Sequence, residues 1–135
     1  MSSRRTPPLP IVGQLEHDVL EHLWRVGEAD VGETHVAVGA PRHITLNTVG
    51  SALERLFRKR LVARRKVSHA YRYRAALARP EYRARRAVEA SGGLTALANE
   101  NVLAAFVDIL ADHDERTLAR LEALVALRRQ GRGSR

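Results

Sequence analysis

The stretch Thr45-Leu-Asn-Thr-Val-Gly-Ser-Ala-Leu-Glu-Arg-Leu-Phe-Arg-Lys-Arg-Leu-Val62 decides the fold of this 135-residue chain. Its apolar residues follow one another at steps of three, four, three and one, as in a helix with one buried face. Thr45 or Asn47 is a candidate N-cap, because either side chain can accept a hydrogen bond from a first-turn N–H. We therefore expect a helix to about Arg60, with a buried stripe formed by Leu46, Val49, Leu53, Leu56 and Phe57.

Two helices and a hairpin surround this stretch. A helix from about Gln14 to Arg25 is predicted by an apolar stripe that includes Trp24. Asp30 caps a second, shorter helix from about Val31 to Val38, which Gly39, Ala40 and Pro41 end. The segment from Leu61 to Arg74 alternates aromatic residues with arginine in its second half. It predicts a two-stranded hairpin with its tip at Val67, Ser68 and His69.

Three helices followed by a hairpin have the order of a winged helix-turn-helix domain. Beyond it, helices are predicted from Pro80 to Ala90, from Leu94 to Leu110 and from Asp114 to Arg129. Their apolar stripes are too narrow to enclose a core, so we expect a second copy of the chain to cover them. The predicted dimerisation residues are Leu94, Leu97, Leu103, Phe106, Leu110, Leu118, Leu121 and Val125.

The predicted fold class is mainly α, a winged helix-turn-helix (three helices plus a β-hairpin wing) followed by C-terminal dimerisation helices. The expected organisation is a disordered arm over residues 1–10, a winged-helix DNA-binding domain over 11–79, a helical dimerisation domain over 80–129 and a disordered tail over 130–135.

The positive charge is concentrated in the predicted winged helix. The chain has a formal net charge of +8, and residues 55–74 contain nine Lys or Arg and no acidic residue. Residues 81–135 are nearly balanced, with nine basic and eight acidic groups. Cations on elements that face a duplex neutralise phosphates and release counterions, so double-stranded DNA is the predicted partner.

Short polar side chains at the start of the third helix suit base edges in the major groove, and wing cations suit phosphates. The candidate DNA-binding residues are Arg42, Thr45, Asn47, Thr48, Ser51, Arg55, Arg58, Arg64, Arg65, Lys66 and Arg72. Arg74 is a further wing cation that is predicted to lie near phosphates.

Other classes of function find little support. The chain has no cysteine, which excludes thiolate metal sites and cysteine nucleophiles. No phosphate-cradling glycine loop occurs, and the six histidines lack metal-ligand spacing. We expect no enzymatic activity, no cofactor and no metal. Because the chain lacks a signal peptide and an apolar run of membrane-spanning length, we expect a cytoplasmic protein with no membrane partner.

Three segments resemble the penicillinase-repressor (BlaI/MecI/CopY-type) family of winged-helix transcriptional regulators. Val12-Gly-Gln-Leu-Glu-His-Asp-Val-Leu-Glu-His-Leu-Trp24 is similar to its opening helix. Thr48-Val49 and Leu53-Glu-Arg-Leu56 match its recognition helix, and Ala70-Tyr-Arg-Tyr73 resembles its second wing strand. Gly50 departs from the larger aliphatic residue that is usual there.

The resemblance implies a homodimer that represses transcription from a palindromic operator and dimerises through its C-terminal helices. Inducible members are cut between Asn and Phe after an upstream sensor acts, but the corresponding pair here is Ala105-Phe106. The copper-responsive members use a cysteine-rich C-terminus, which this chain lacks. Two alternatives stay open: a winged helix used as a protein-binding or nucleoid-type module, and a ligand- or metal-sensing regulator.

Overall fold

Seven helices and one hairpin make up the part of the chain that the computed structural model describes, residues 9–133. The helices are α1 Gln14–Val26, α2 Val31–Thr34, α3 Leu46–Arg58, α4 Arg79–Ala90, α5 Leu94–Leu97, α6 Glu100–His113 and α7 Glu115–Gly133. The strands are β1 Val62–Val67 and β2 Ala70–Ala75. This mainly helical arrangement with an antiparallel hairpin confirms the predicted fold class.

The core of the winged helix forms between α1 and α3. Both helices bury most of the apolar stripes that the sequence predicts, because residues three and four apart share one helix face. Leu46, in the first turn of α3, is 48% exposed, so its predicted burial is wrong. Thr45 is the N-cap of α3, since its Oγ1 accepts a hydrogen bond from the N–H of Thr48 at 3.2 Å. The fully enclosed side chains are Val19, Leu20 and Leu23 of α1 and Val49, Leu53 and Leu56 of α3.

The α-helical part of the second helix ends before the predicted residue Val38, but turns of other helix types continue beyond it. Asp30 caps it as expected, since its Oδ1 accepts from the N–H of Glu33 at 2.8 Å. After α2 the chain forms a π-helical turn, His35–Gly39, and a 3-10 turn, Ala40–Arg42. The predicted end at Val38 is therefore wrong. Pro41 lies in the first turn of the 3-10 segment, where its missing N–H costs no hydrogen bond.

The wing is the hairpin that the sequence predicts. Val62 lies opposite Ala75 and Val67 opposite Ala70, with Ser68 and His69 in the turn. The outer edge of β2 is covered, because Tyr73 and Ala29 exchange two backbone hydrogen bonds of 2.8 and 3.0 Å. These bonds fix the base of the wing to the residues that precede α2.

The start of α4 also packs into this core. Tyr82 is 1% exposed, and its ring lies 5.1 Å from that of Trp24. Trp24 donates its indole N–H to the carbonyl of Leu77 at 2.9 Å. The chain divides into two compact units, one reaching Ala87 and the other beginning at Val88. The boundary predicted at residues 79–80 lies before this division.

The second unit holds α5, α6 and α7. A continuous helix from Leu94 to Leu110 was expected, but Asn99 interrupts it by accepting from the N–H groups of Asn101 and Val102 at 3.0 and 3.3 Å. Asparagine favours this N-cap geometry over a helix interior. The helix α7 runs past its predicted end at Arg129. Of the predicted disordered segments, residues 1–8 and 134–135 lie outside the described part.

Candidate nucleic-acid interface

The outward side of α3 is a stripe of four residues. Asn47, Ser51, Glu54 and Arg58 follow one another at spacings of four, three and four, opposite the buried apolar stripe. Asn47, Ser51 and Arg58 are exposed. Neither Asn47 nor Ser51 uses its side chain in a hydrogen bond within residues 9–133, so both are available to a ligand.

The two threonines at the start of α3 are partly occupied. Thr45 caps the helix, and its Oγ1 also lies 2.9 Å from the Oγ1 of Thr48. Both residues are exposed. Thr45 therefore has a structural role beside the one predicted for it, whereas Asn47 and Ser51 do not.

On the flank of α3 that faces α1, the basic side chains form ion pairs with carboxylates. The Nζ of Lys59 lies 2.8 Å from Glu16, which is 5% exposed, and the Nε of Arg55 lies 3.8 Å from the same carboxylate. Burial alone would raise the pKa of Glu16, but Lys59 and the N–H of Gly13 together hold it below its usual value. Arg42 forms an ion pair with Asp18. These cations join α1 to the second and third helices of the winged helix.

Arg64 connects α3 to the wing. Its guanidinium lies 3.7 Å from the centre of the Phe57 ring and 4.1 Å from that of Tyr71. Its Nη1 donates to Oε1 of Glu54 at 2.7 Å, and the side chain is 18% exposed. This hydrogen bond keeps the pKa of Glu54 below its usual value. Arg64, a predicted phosphate ligand, is thus already fully engaged inside the molecule.

Arg65 and Arg72 lie opposite each other on the wing and share one carboxylate. Arg65 donates to Glu28 at 2.8 and 2.9 Å, and Arg72 donates to Glu28 at 2.9 Å and to Glu33 at 3.0 Å. The hydrogen bonds from these two arginines lower the pKa of Glu28 to about 2. On this side of the wing the acidic groups largely compensate the basic ones.

Lys66 near the wing tip has a different environment. It is exposed, and it has no carboxylate partner among the residues that the structure describes. Arg74, a predicted wing cation, and Arg60, which is not predicted to contact DNA, are exposed and equally without an ion-pair partner within residues 9–133. The sequence does not indicate which of the wing cations stay unpaired, because the acidic partners of the others are distant in sequence.

Metal binding and membrane insertion are two alternative functions on which the structure bears. Among residues 9–133 no group of three or more His, Asp or Glu side chains is placed to hold a metal ion. None of the helices in that range is both long and apolar enough to cross a membrane.

The fold and this surface define a class: a winged helix-turn-helix protein with an exposed polar stripe on its third helix and a basic wing. A family model described as "Penicillinase repressor" matches residues 12–126. The chain is 34% identical over 118 residues to proteins named "Transcriptional regulator BlaI" from two Mycobacterium tuberculosis strains, CDC 1551 / Oshkosh and ATCC 25618 / H37Rv. Each alignment spans 83% of this chain and 86% of the relative.

The chain therefore belongs to the penicillinase-repressor family. Membership identifies it as a regulator of transcription.

Proposed function

We propose that this chain is a sequence-specific repressor that binds a palindromic operator as a homodimer. One observation carries the proposal: Asn47 and Ser51 are exposed on the outward stripe of α3 and make no internal side-chain hydrogen bond in the described part. Short polar side chains in that position contact base edges when a recognition helix enters the major groove. Asn pairs with adenine, and a serine hydroxyl can donate or accept.

The wing is proposed to hold the phosphate backbone beside the reading helix. Like Arg74, Lys66 has no internal partner among residues 9–133, so phosphate binding there breaks no existing ion pair. Arg65 and Arg72 would have to share or leave Glu28 to reach a phosphate. We therefore expect Lys66 to contribute more to affinity than either arginine.

The second unit supplies the argument for a homodimer. None of residues 88–131 is buried, although α6 and α7 carry many apolar side chains. A shallow apolar groove of about 400 Å³ is lined by Leu97, Val102, Phe106 and Ile109, together with Ser91, Asn101 and Ala105. A second copy is the simplest partner, and a two-fold dimer matches the symmetry of an inverted repeat.

The comparisons support the regulatory part of this proposal. The relatives are named as transcriptional regulators, and the family is described as a repressor family. Repression by this chain requires only that it occupies its operator. It would act on the chromosome in the cytoplasm of a bacterium.

The proposal is tested by incubating the purified full chain with fragments of the source genome at about 0.15 M salt and sequencing what is bound. Electrostatic binding alone fades at such salt concentrations. We expect a few promoter fragments that share an inverted repeat, with half-sites about one helical turn apart. Uniform recovery of all fragments would indicate a nucleoid-type role. Recovery of no fragment would indicate a protein-binding module.

Two variants separate phosphate contact from general charge. Lys66→Ala should weaken binding to all sequences and reduce the salt dependence by about one phosphate contact. Arg83→Ala removes an exposed cation of α4 that also has no internal partner within residues 9–133, and it should leave binding unchanged. Equal effects of the two variants would contradict the proposed position of the wing.

A further inference from the structure

We propose that Glu54 is a specificity-determining residue, whose carboxylate accepts a hydrogen bond from the exocyclic amine of a cytosine in the major groove. This inference rests on the proposed function, because it assigns a base contact to the same recognition helix. Glu54 is not found by a search for basic residues, since an acidic side chain is not expected on a surface that faces phosphates.

The position of Glu54 is central to the surface that would face the bases. It lies on the outward stripe between Ser51 and Arg58, and it is the one acidic residue of α3. Its side chain is 39% exposed, which leaves room for a ligand atom. Its neighbours on the stripe, Asn47 and Ser51, are those proposed to contact base edges.

A carboxylate at this position would ordinarily repel DNA, because like charges across an interface are unfavourable. Here two cations offset that repulsion. Arg64 donates to Glu54 at 2.7 Å, and the Nε of Arg58 lies 3.4 Å from its other oxygen. The hydrogen bond from Arg64 also favours the ionised carboxylate through a lowered pKa. The local charge therefore stays positive while an acceptor is presented.

The carboxylate is also held in one orientation. Arg64 is enclosed between the Phe57 and Tyr71 rings and binds Oε1 of Glu54, so it acts as a positioning residue. Oε2 receives the looser ion pair with Arg58. Since an ionised carboxylate has about four acceptor sites, Oε2 retains the capacity to accept from a base.

The chemistry selects one base. Cytosine presents its N4 amine as a donor in the major groove, and Glu or Asp is its usual partner. Guanine and thymine present acceptor oxygens there, which a carboxylate would repel. Adenine also presents an amine donor, but its N7 acceptor lies beside that amine and would repel the carboxylate, which leaves cytosine as the favoured base. In an inverted repeat this predicts one cytosine at the same position of each half-site.

The test is selection of binding sites from a pool of random duplexes, with the unmodified full chain and with Glu54→Gln. The unmodified chain should enrich an inverted repeat with an invariant cytosine, and replacing that cytosine by thymine should weaken binding about tenfold. Glu54→Gln should lose this discrimination and accept adenine, because Gln pairs with the N6 and N7 of adenine. Glu33→Gln is the matched control, since Glu33 binds a wing arginine but lies outside α3.

The outcomes distinguish this inference from the proposed function. If the unmodified chain selects no repeat, the repressor proposal fails and this inference fails with it. If it selects a repeat and Glu54→Gln keeps the same base preference, or weakens every sequence equally, this inference alone is overturned. Glu54→Asp provides a second variant, because it keeps the charge but shortens the reach, and it should also reduce the preference for cytosine.

Discussion

The two units of this chain have similar proportions of apolar residues but use them in opposite ways. In the first unit Val19, Leu20 and Leu53 are fully enclosed, whereas in the second Phe106 is 45% and Ile109 is 67% exposed. Apolar surface left in water is a large cost that association can remove. The winged helix encloses its own apolar core, whereas the second unit leaves an apolar face that a second copy would cover in the proposed homodimer.

The largest effect on stability is expected from the core of the first unit. Leu53→Ala removes a fully enclosed side chain between α1 and α3, and it should lower the free energy of unfolding by about 2–5 kcal/mol. Leu46→Ala on the same helix removes a side chain that is 48% exposed, and it should cost much less. Urea denaturation followed by circular dichroism compares the two. Similar losses would mean that the core is looser than this structure shows.

The comparison also shows what sequence periodicity can and cannot reveal. The stripes of α1 and α3 predicted those helices within one or two residues at most ends, because burial of one face imposes the helical period on the sequence. The break at Asn99 was missed, since a single capping side chain does not disturb an apolar stripe. The burial of Tyr82 was missed because its partner Trp24 is distant along the chain.

The residues of the candidate site also divide into those that the sequence predicts and those that it does not. The exposure of Asn47 and Ser51 follows from helical spacing, so the sequence predicts both. The carboxylate that holds Arg65 and Arg72 comes from Glu28, 37 residues before Arg65, and no local pattern predicts that contact. Glu54 could have been found, because it lies four residues before Arg58, where an ion pair is expected.

The second unit is tested by placing a charge on its exposed apolar face. Phe106→Asp should weaken self-association by about 100-fold, because dimerisation would bury an unpaired carboxylate, and operator affinity should fall with it. Thr95→Asp adds the same charge at an exposed polar position and serves as the control. Analytical ultracentrifugation measures both. A Phe106→Asp chain that dimerises as tightly as the unmodified protein would remove this face from the interface.

Two glycines of the first unit test how closely it is packed. A Cβ on Gly39 would lie 2.7 Å from Cγ2 of Val49 and 3.1 Å from the carbonyl oxygen of Ile44, so Gly39→Ala should destabilise the fold by about 1–3 kcal/mol. A Cβ on Gly50 would lie 3.6 Å from Cγ1 of Val31, which is an ordinary contact. Gly50→Ala should therefore stabilise α3 by about 0.5–1 kcal/mol. Shifts of the same sign in urea midpoints would contradict the packing described.

The smallest effect concerns a histidine enclosed by the first unit. His22 is 7% exposed, and its Nδ1 is buried without a hydrogen-bond partner in residues 9–133. Burial, and then the nearby Arg25, hold the pKa of His22 below its ordinary value of 6.5, although Glu33 acts in the opposite direction. Below pH 6.5 the unfolded chain therefore binds a proton more readily than the folded one.

The contribution of His22 to stability is complete above pH 6.5 and is lost as the pH falls towards its folded-state pKa. Unfolding free energies of the unmodified chain and of His22→Gln should therefore converge or cross between about pH 7 and pH 5, because glutamine does not titrate. Parallel curves for the two chains would show that the imidazole of His22 reaches water. In that case the enclosure that distinguishes the first unit from the second would not extend to this end of α1.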